Sequence, residues 1–311
     1  MNNITNLCKI FQVDNRQEYF ENPIQNYFND TKESIRYIKS YKKGKFLRQV
    51  PLNYSPDGTV GYALIRGMNC QAKCHYCYLQ TYFKSPDIVR FVNIQDYLDF
   101  LDEFIQKFQI TYPDKKLIFY DGDFYDSLGY ADLKENISQI NSIIQLIENY
   151  SNVFLEIRAK CLLENKNSYE LLLISSKVIY GITFSPQKII DMYEPGASNL
   201  NIRLSFAKYI SNRGGKIGVR IDPVIISHGV DLYEELIIQI QKSKLNIDSW
   251  NLGELRIKEK LYKYLSSKGS LLVKDLILKD GFYRYESKSK ENVFNRLDSL
   301  LGLVTHKCMD Y

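Results

Sequence analysis

The run Val60-Gly-Tyr-Ala-Leu-Ile-Arg66 passes directly into Gly67-Met-Asn-Cys70-Gln-Ala-Lys-Cys74-His-Tyr-Cys77-Tyr-Leu-Gln-Thr81. The first part has the length and apolar content of a buried strand, and the second is a loop carrying CxxxCxxC. Soft thiolates at this spacing can wrap three irons of a four-iron cluster and leave the fourth without a protein ligand. An open iron is what chelation of S-adenosylmethionine (SAM) needs. Structural zinc would require a fourth Cys or His, for which His75 is the formal candidate. It sits between two of the cysteines, where closing four side chains on one small ion is strained.

Outward from this segment, β-type runs alternate with amphipathic stretches, the pattern of βα units around a parallel sheet. Six strands are predicted: Val60–Arg66, Lys116–Asp121, Val153–Lys160, Val178–Ser185, Lys216–Ile225 and Ser249–Ile257. The helix after the cysteine loop spans Ile94 to Phe108, with Ile94, Tyr97, Leu98, Leu101, Phe104, Ile105 and Phe108 on one face. Ile137, Ile140, Ile143, Ile144 and Ile147 mark the second helix, and Leu232, Tyr233, Leu236, Ile237 and Ile240 the fifth. A helix from Leu200 to Asn212 stops at Gly214 and Gly215. Six units are two short of a closed eight-stranded barrel, so the fold class is α/β, an open partial (β/α)6 TIM-type barrel with a lateral gap. Residues 1–59 form an N-terminal extension, 60–258 the barrel and 259–311 a C-terminal cap. In the cap, Leu271–Leu278 and Gly281–Glu286 are expected to form a hairpin with Lys279-Asp280 at its turn.

A chain of 311 residues, 45% hydrophobic, can bury a substantial core. No run of about 18 apolar residues occurs, and Met1 to Lys9 lacks the features of a secretory signal, so a cytoplasmic, membrane-free protein is expected. Six cysteines are too few for a disulfide scaffold, and three of them fall between positions 70 and 77, which points to metal ligation in a reducing compartment. Cys8, Cys161 and Cys308 are scattered. With 41 basic residues against 36 acidic ones, the formal charge of +5 permits a polyanionic partner without demanding one.

Cys74-His-Tyr-Cys-Tyr-Leu-Gln-Thr81, then Val89-Arg-Phe-Val-Asn93 and Tyr193-Glu-Pro-Gly-Ala-Ser198, resemble the radical SAM superfamily and, within it, the spore photoproduct lyase group. The matches keep their order from about residue 55 to 300. The resemblance implies a [4Fe–4S] cluster on Cys70, Cys74 and Cys77. It also implies SAM as cofactor, cleaved reductively to a 5′-deoxyadenosyl radical with an external electron donor such as flavodoxin or ferredoxin.

Gly122-Asp-Phe-Tyr-Asp-Ser127 resembles the family's Gly-Glu-Leu-Ser-Asp-Ser-Leu segment, which makes Asp123 the carboxylate that receives the ammonium of SAM; the alternative is a polar turn in which Asp126 and Ser127 cap a helix. Lys160 and Ser185, at strand ends, match residues that hold the SAM carboxylate. Tyr76 and Tyr78 flank Cys77, either beside SAM as hydrogen-atom carriers or as packing aromatics. Arg220 and Asp222, with Glu254 and Arg256, alternate at the ends of strands five and six and either contact substrate or pair as ions.

In photoproduct lyases a cysteine just after the second strand returns the final hydrogen atom; here that position falls on Asp123. A carboxyl O–H gives up a hydrogen atom poorly, so thymine-photoproduct repair is not expected unless Cys161 or Cys308 is a displaced donor. The substrates in view are therefore nucleic acid, a nucleoside, or a ribosomal peptide modified by epimerisation or cross-linking. The non-enzyme alternative is an iron–sulfur redox sensor, which would form no 5′-deoxyadenosine.

Overall fold

The computed structural model describes residues 9–11, 35–38, 46–51, 54–83, 88–129, 133–302 and 305–307. In chain order the strands are β1 (Lys9–Phe11), β2 (Ile35–Ile38), β3 (Leu47–Gln49), β4 (Thr59–Leu64), β5 (Gly67–Met68), β6 (Ile88–Phe91), β7 (Lys116–Asp121), β8 (Val153–Ala159), β9 (Val178–Thr183), β10 (Lys216–Val224), β11 (Ile247–Glu254), β12 (Leu276–Lys279), β13 (Phe282–Tyr285) and β14 (His306–Lys307). The helices are α1 (Leu79–Tyr82), α2 (Ile94–Thr111), α3 (Leu133–Glu148), α4 (Gln187–Tyr193), α5 (Leu200–Asn212), α6 (Asp231–Lys242), α7 (Glu259–Ser267) and α8 (Ser287–Leu301).

The main sheet runs β14-β11-β10-β9-β8-β7-β4-β3, parallel except for β3, which pairs antiparallel with β4. Its edge strands β14 and β3 do not pair, so the barrel stays open. The six predicted strands are β4 and β7 to β11. The parallel sheet gains a seventh strand, β14, whose two residues are too short to show periodicity. A second sheet, β1-β2-β6-β5, flanks the cysteine loop, because β5 opens that loop and β6 follows it.

Apolar periodicity becomes burial directly. On α2, Tyr97, Leu101, Ile105 and Phe108 face inward, and on α3 Ile137, Ile140, Ile143, Ile144 and Ile147 do the same. In the cap, the hairpin turn sits one residue later than the sequence reading placed it. Asp280 and Gly281 take φ of 51° and 76°, the positive pair that a two-residue hairpin turn needs and that Asp-Gly supplies, so Lys279 pairs with Phe282. Leu271–Val273 is a single 3-10 turn rather than strand, started by the Ser270 side chain accepting from the Leu272 N–H.

Where β4 hands over to the cysteine loop, Arg66 is buried against Asp121, the last residue of β7. Its Nη2 lies 2.6 Å from Oδ2 and its Nε 3.0 Å from Oδ1. Asn136 of α3 takes a further guanidinium proton at 3.1 Å. This bidentate pair anchors the start of the loop to the sheet. Asp121→Asn, which removes the carboxylate charge from this buried pair, is expected to destabilise the fold by about 3–5 kcal/mol in urea unfolding. A loss under about 1 kcal/mol would show that the pair is not a structural anchor. Among the described residues, no helix is long and apolar enough to cross a membrane.

Candidate active site

Asn69 and Lys73 adopt left-handed backbone angles, φ 65° and 47°, and wind the loop tightly around its cysteines. The Cys77 N–H donates to the Cys74 carbonyl at 2.9 Å, and the buried Gln80 amide donates to the same oxygen, so one turn links these two cysteines. All three are free thiols. The Ala72 N–H points at Cys70 Sγ (3.4 Å), and Lys160 Nζ lies 3.9 Å from Cys74 Sγ. Burial pushes the Cys77 thiol up to about 12 and raises that of Cys74 as well. N–H and ammonium groups aimed at sulfur are what ligated sulfurs use. The donor set fits three-thiolate ligation of an iron–sulfur cluster. His75 is exposed, with its ring edge-on to Tyr193 at 6.2 Å between centroids.

Lys160 and Ser185, just past β8 and β9, converge on a residue that the sequence reading used only as a family marker. The Glu194 carboxylate accepts from Ser185 Oγ at 2.8 Å, from Lys160 Nζ at 3.4 Å, from the Tyr76 hydroxyl, and from Arg203 Nη2 at 2.5 Å. Lys160 also donates to the Tyr76 hydroxyl at 2.8 Å. Burial would raise the Glu194 carboxyl, but Lys160, Arg203 and the hydrogen bonds outweigh it and hold it down to about 2. The available signal was its chemistry: a Glu directly before Pro-Gly, at the end of a helix whose partners are apolar.

Gly122 takes φ 114°, and a Cβ there would sit 2.6 Å from the Arg158 carbonyl, so only Gly lets the chain turn at this point from β7 toward Asp123. Asp123 Oδ1 accepts from Arg158 Nη1 at 2.9 Å and from the Tyr54 hydroxyl at 3.2 Å. Tyr78, 41% exposed, donates its hydroxyl to the Asp123 backbone carbonyl at 2.6 Å. The cysteine loop and the turn after β7 are thus joined. Glu156, Arg158 and Lys160 alternate along β8 and its end. Glu156 pairs with Arg158 at 2.9 Å and with Arg220 of β10 at 2.7 Å.

Of the alternating strand-end residues, Arg220 is therefore an ion-pair partner. Asp222 packs against Gly253, and Glu254 pairs with Arg284 (3.6 Å) and Lys290 (3.7 Å) of the cap. Arg256 lies beyond the end of β11 and does not share its alternation.

Asp126 and Ser127 do not cap a helix, because α3 starts only at Leu133. Asp126 instead accepts the backbone N–H groups of Leu128, Lys160 and Cys161 at 3.1, 2.6 and 3.0 Å, tying the turn after β7 to the end of β8. Ser127 Oγ donates to the Asp121 carbonyl at 2.6 Å. Cys161 Sγ is buried beside Cys70 Sγ and an Asp126 oxygen, all within 4.8 Å of one another, so Lys160 and Cys161 approach the loop at different cysteines. Its thiol is raised first by its hydrogen bond to Cys70 and then by burial. Cys8 and Cys308 lie outside the described residues.

The family model for spore photoproduct lyase matches residues 45–258. Curated relatives include the spore photoproduct lyase of Geobacillus sp. (strain Y412MC61), 24% identical over 205 residues, which are 58% of this chain and 52% of that protein. The spore photoproduct lyase of Bacillus subtilis (strain 168) is 24% identical over 188 residues, 54% of this chain and 47% of that one. The chain thus spans about half the length of the curated relatives it matches. A solved spore photoproduct lyase complexed with dinucleoside spore photoproduct superposes with a TM-score of 0.70 at 19% identity, over 87% of this chain and 82% of that one. A variant with bound AdoMet and the same dinucleoside gives 0.69 at 18%, over 87% and 82%. The match to the family model covers most of the chain and takes in both the cysteine loop and the Glu194 segment, and the chain belongs to the spore photoproduct lyase family.

Proposed function

We propose that this chain is a radical SAM enzyme that abstracts a hydrogen atom from an organic substrate. The observation that carries the reading is the joining of a three-thiol loop to the backbone of Asp123 and to the ammonium of Lys160, which brings a carboxylate and a cation to the loop at the C-terminal rim of a parallel partial barrel. Cys70, Cys74 and Cys77 would hold one [4Fe–4S] cluster, which supplies the electron that cleaves SAM to a 5′-deoxyadenosyl radical. Asp123, with both described hydrogen bonds on Oδ1, would offer Oδ2 to the SAM ammonium. Lys160 and Ser185 would face the SAM carboxylate, and Tyr78 would close the side nearest Asp123. The half-buried Arg158 and Arg220, balanced by Glu156 and Asp123 together, line the interior next to this rim. An external electron donor is part of the proposal.

Asp123→Asn is expected to weaken SAM binding by about ten- to a hundredfold, the loss of one charged contact of roughly 1.5–3 kcal/mol, with iron content unchanged. Equilibrium dialysis with labelled SAM measures it; unchanged affinity would remove Asp123 from the SAM site.

The matched relatives are named for photoproduct lysis, and so they lend no support to the expectation, drawn from Asp123, that thymine photoproducts are not repaired. The deciding experiment incubates anaerobically reconstituted protein, SAM and dithionite with a dinucleotide spore photoproduct, and follows 5′-deoxyadenosine and thymine-containing product by mass. Conversion to two thymines assigns photoproduct repair, and its loss in Cys161→Ala would name the hydrogen donor. 5′-Deoxyadenosine without thymine release establishes SAM cleavage and removes thymine photoproduct as the substrate, which directs the search to nucleosides and peptides. A cluster-loaded chain that forms neither 5′-deoxyadenosine nor thymine would overturn the enzyme reading and favour a redox sensor.

A further inference from the structure

The segment from Tyr193 to Ser198 grips the cysteine loop from one side along most of its length. The His75 N–H donates to the Tyr193 carbonyl at 2.9 Å, and the Gly196 N–H donates to the Ala72 carbonyl at 3.0 Å. A Cβ on Gly196 would fall 1.9 Å from the Gln71 carbonyl oxygen, so the two backbones meet at a distance only Gly permits. Ser198 closes the far end, its N–H and its Oγ both donating to the Lys160 carbonyl, at 3.1 and 2.8 Å. Between these backbone contacts sits the fully buried Glu194 carboxylate with its four donors. Arg203, equally buried, is itself fixed to the Ser198 and Thr183 carbonyls at 2.8 and 2.9 Å and cannot follow Glu194 if it moves. Arg203, Glu194 and Lys160 form a row of charges, plus, minus, plus, which leaves one positive charge at the end that meets Cys74 Sγ.

We propose that Glu194 is a positioning residue that locks the cysteine loop to the strand ends and holds Tyr76 and Lys160 against Cys74. The proposal rests on the reading of Cys74 as a cluster ligand only for its consequence, retention of iron. The clamp itself is a property of the cluster-free chain.

Two measurements on Glu194→Gln test it. In cluster-free protein, iodoacetamide labelling of each cysteine is followed by peptide mass. Cys74 should react about tenfold faster than in the unaltered chain, because the local opening that exposes it becomes cheaper, while amide hydrogen exchange in β11, which has no described contact with the 193–198 segment, keeps its rate. In anaerobically reconstituted protein, transfer of iron to a ferrous chelator should quicken by a similar factor. Equal acceleration of Cys74 labelling and of exchange in β11 would mean general loosening and overturn the proposal, as would no acceleration at Cys74 at all. If the unaltered chain takes up no iron, the functional reading fails while labelling and exchange still decide the clamp. Should Glu194→Gln not unfold cooperatively, Tyr76→Phe decides instead. It removes one hydroxyl, leaves the Arg203 pair in place, and should quicken Cys74 labelling alone by about threefold; an unchanged rate would overturn the proposal.

Discussion

Replacing any one of Cys70, Cys74 or Cys77 with Ala is expected to take the anaerobically reconstituted protein from about four irons per chain to almost none. The broad absorbance of the cluster and all 5′-deoxyadenosine formation should go with it. Each of the three thiolates holds one iron, so losing one leaves the cluster with too few protein bonds to be retained. Cys70 is the instructive position. Cys161 Sγ lies within 4.8 Å of it, so any residual iron should appear in Cys70→Ala alone and vanish in the Cys70→Ala/Cys161→Ala pair. Stoichiometric zinc with no iron in the unaltered protein would sink the cluster reading. The same experiment bears on Lys160. Its ammonium reaches Cys74 Sγ at 3.9 Å, so Lys160→Ala should loosen iron as well as SAM, whereas Asp123→Asn should loosen SAM alone.

What could be read in advance divides along physical lines. Strands β4 and β7 to β11 and helices α2, α3, α5 and α6 were legible because each carries its own period, two or 3.6, over enough residues to stand out. The cysteine loop was legible because its chemistry depends on local spacing. The hairpin register was not, since it depends on where two positive-φ residues fall, and Asp280-Gly281 was passed over for Lys279-Asp280. The Glu194 cluster was out of reach for a different reason: Tyr76 and Glu194 are 118 positions apart, and nothing in either segment announces the other. Asp126 misled because a polar βα turn ordinarily caps the next helix, whereas here it serves the backbone of Lys160 and Cys161 across the sheet. Arg220 was visible as a strand-end charge and Arg158 was not singled out; that both turn to Glu156 follows from the order β8-β9-β10, which carries them to one face of the sheet.

Two of these buried carboxylates should make the fold acid-labile, and this is the largest stability effect expected. Glu194 and Glu156 are each held down to about 2 from an ordinary 4.5. In both, burial opposes ionisation, and cations outweigh it: Lys160 and Arg203 for Glu194, Arg158 and Arg220 for Glu156. A depressed folded-state value means that the unfolded chain binds the proton first. The stabilisation is therefore complete above pH 4.5 and drains away as pH falls toward 2. A shift of this size corresponds to roughly 3 kcal/mol per carboxylate, a large share of the ~5–15 kcal/mol that holds a typical domain folded. Urea midpoints of the cluster-free chain should hold nearly level from pH 7 to 5 and then collapse between 4.5 and 2.5. Glu156→Gln should be less stable at pH 7 and lose visibly less on acidification, because one of the two titrations is gone. Glu156 has no described contact with the cysteines, so its contribution belongs to the barrel interior and separates cleanly from the clamp around Glu194. If the variant and the unaltered chain fall in parallel through that pH range, the acid lability comes from other carboxylates and the Glu156 pairs are not what holds β8 to β10.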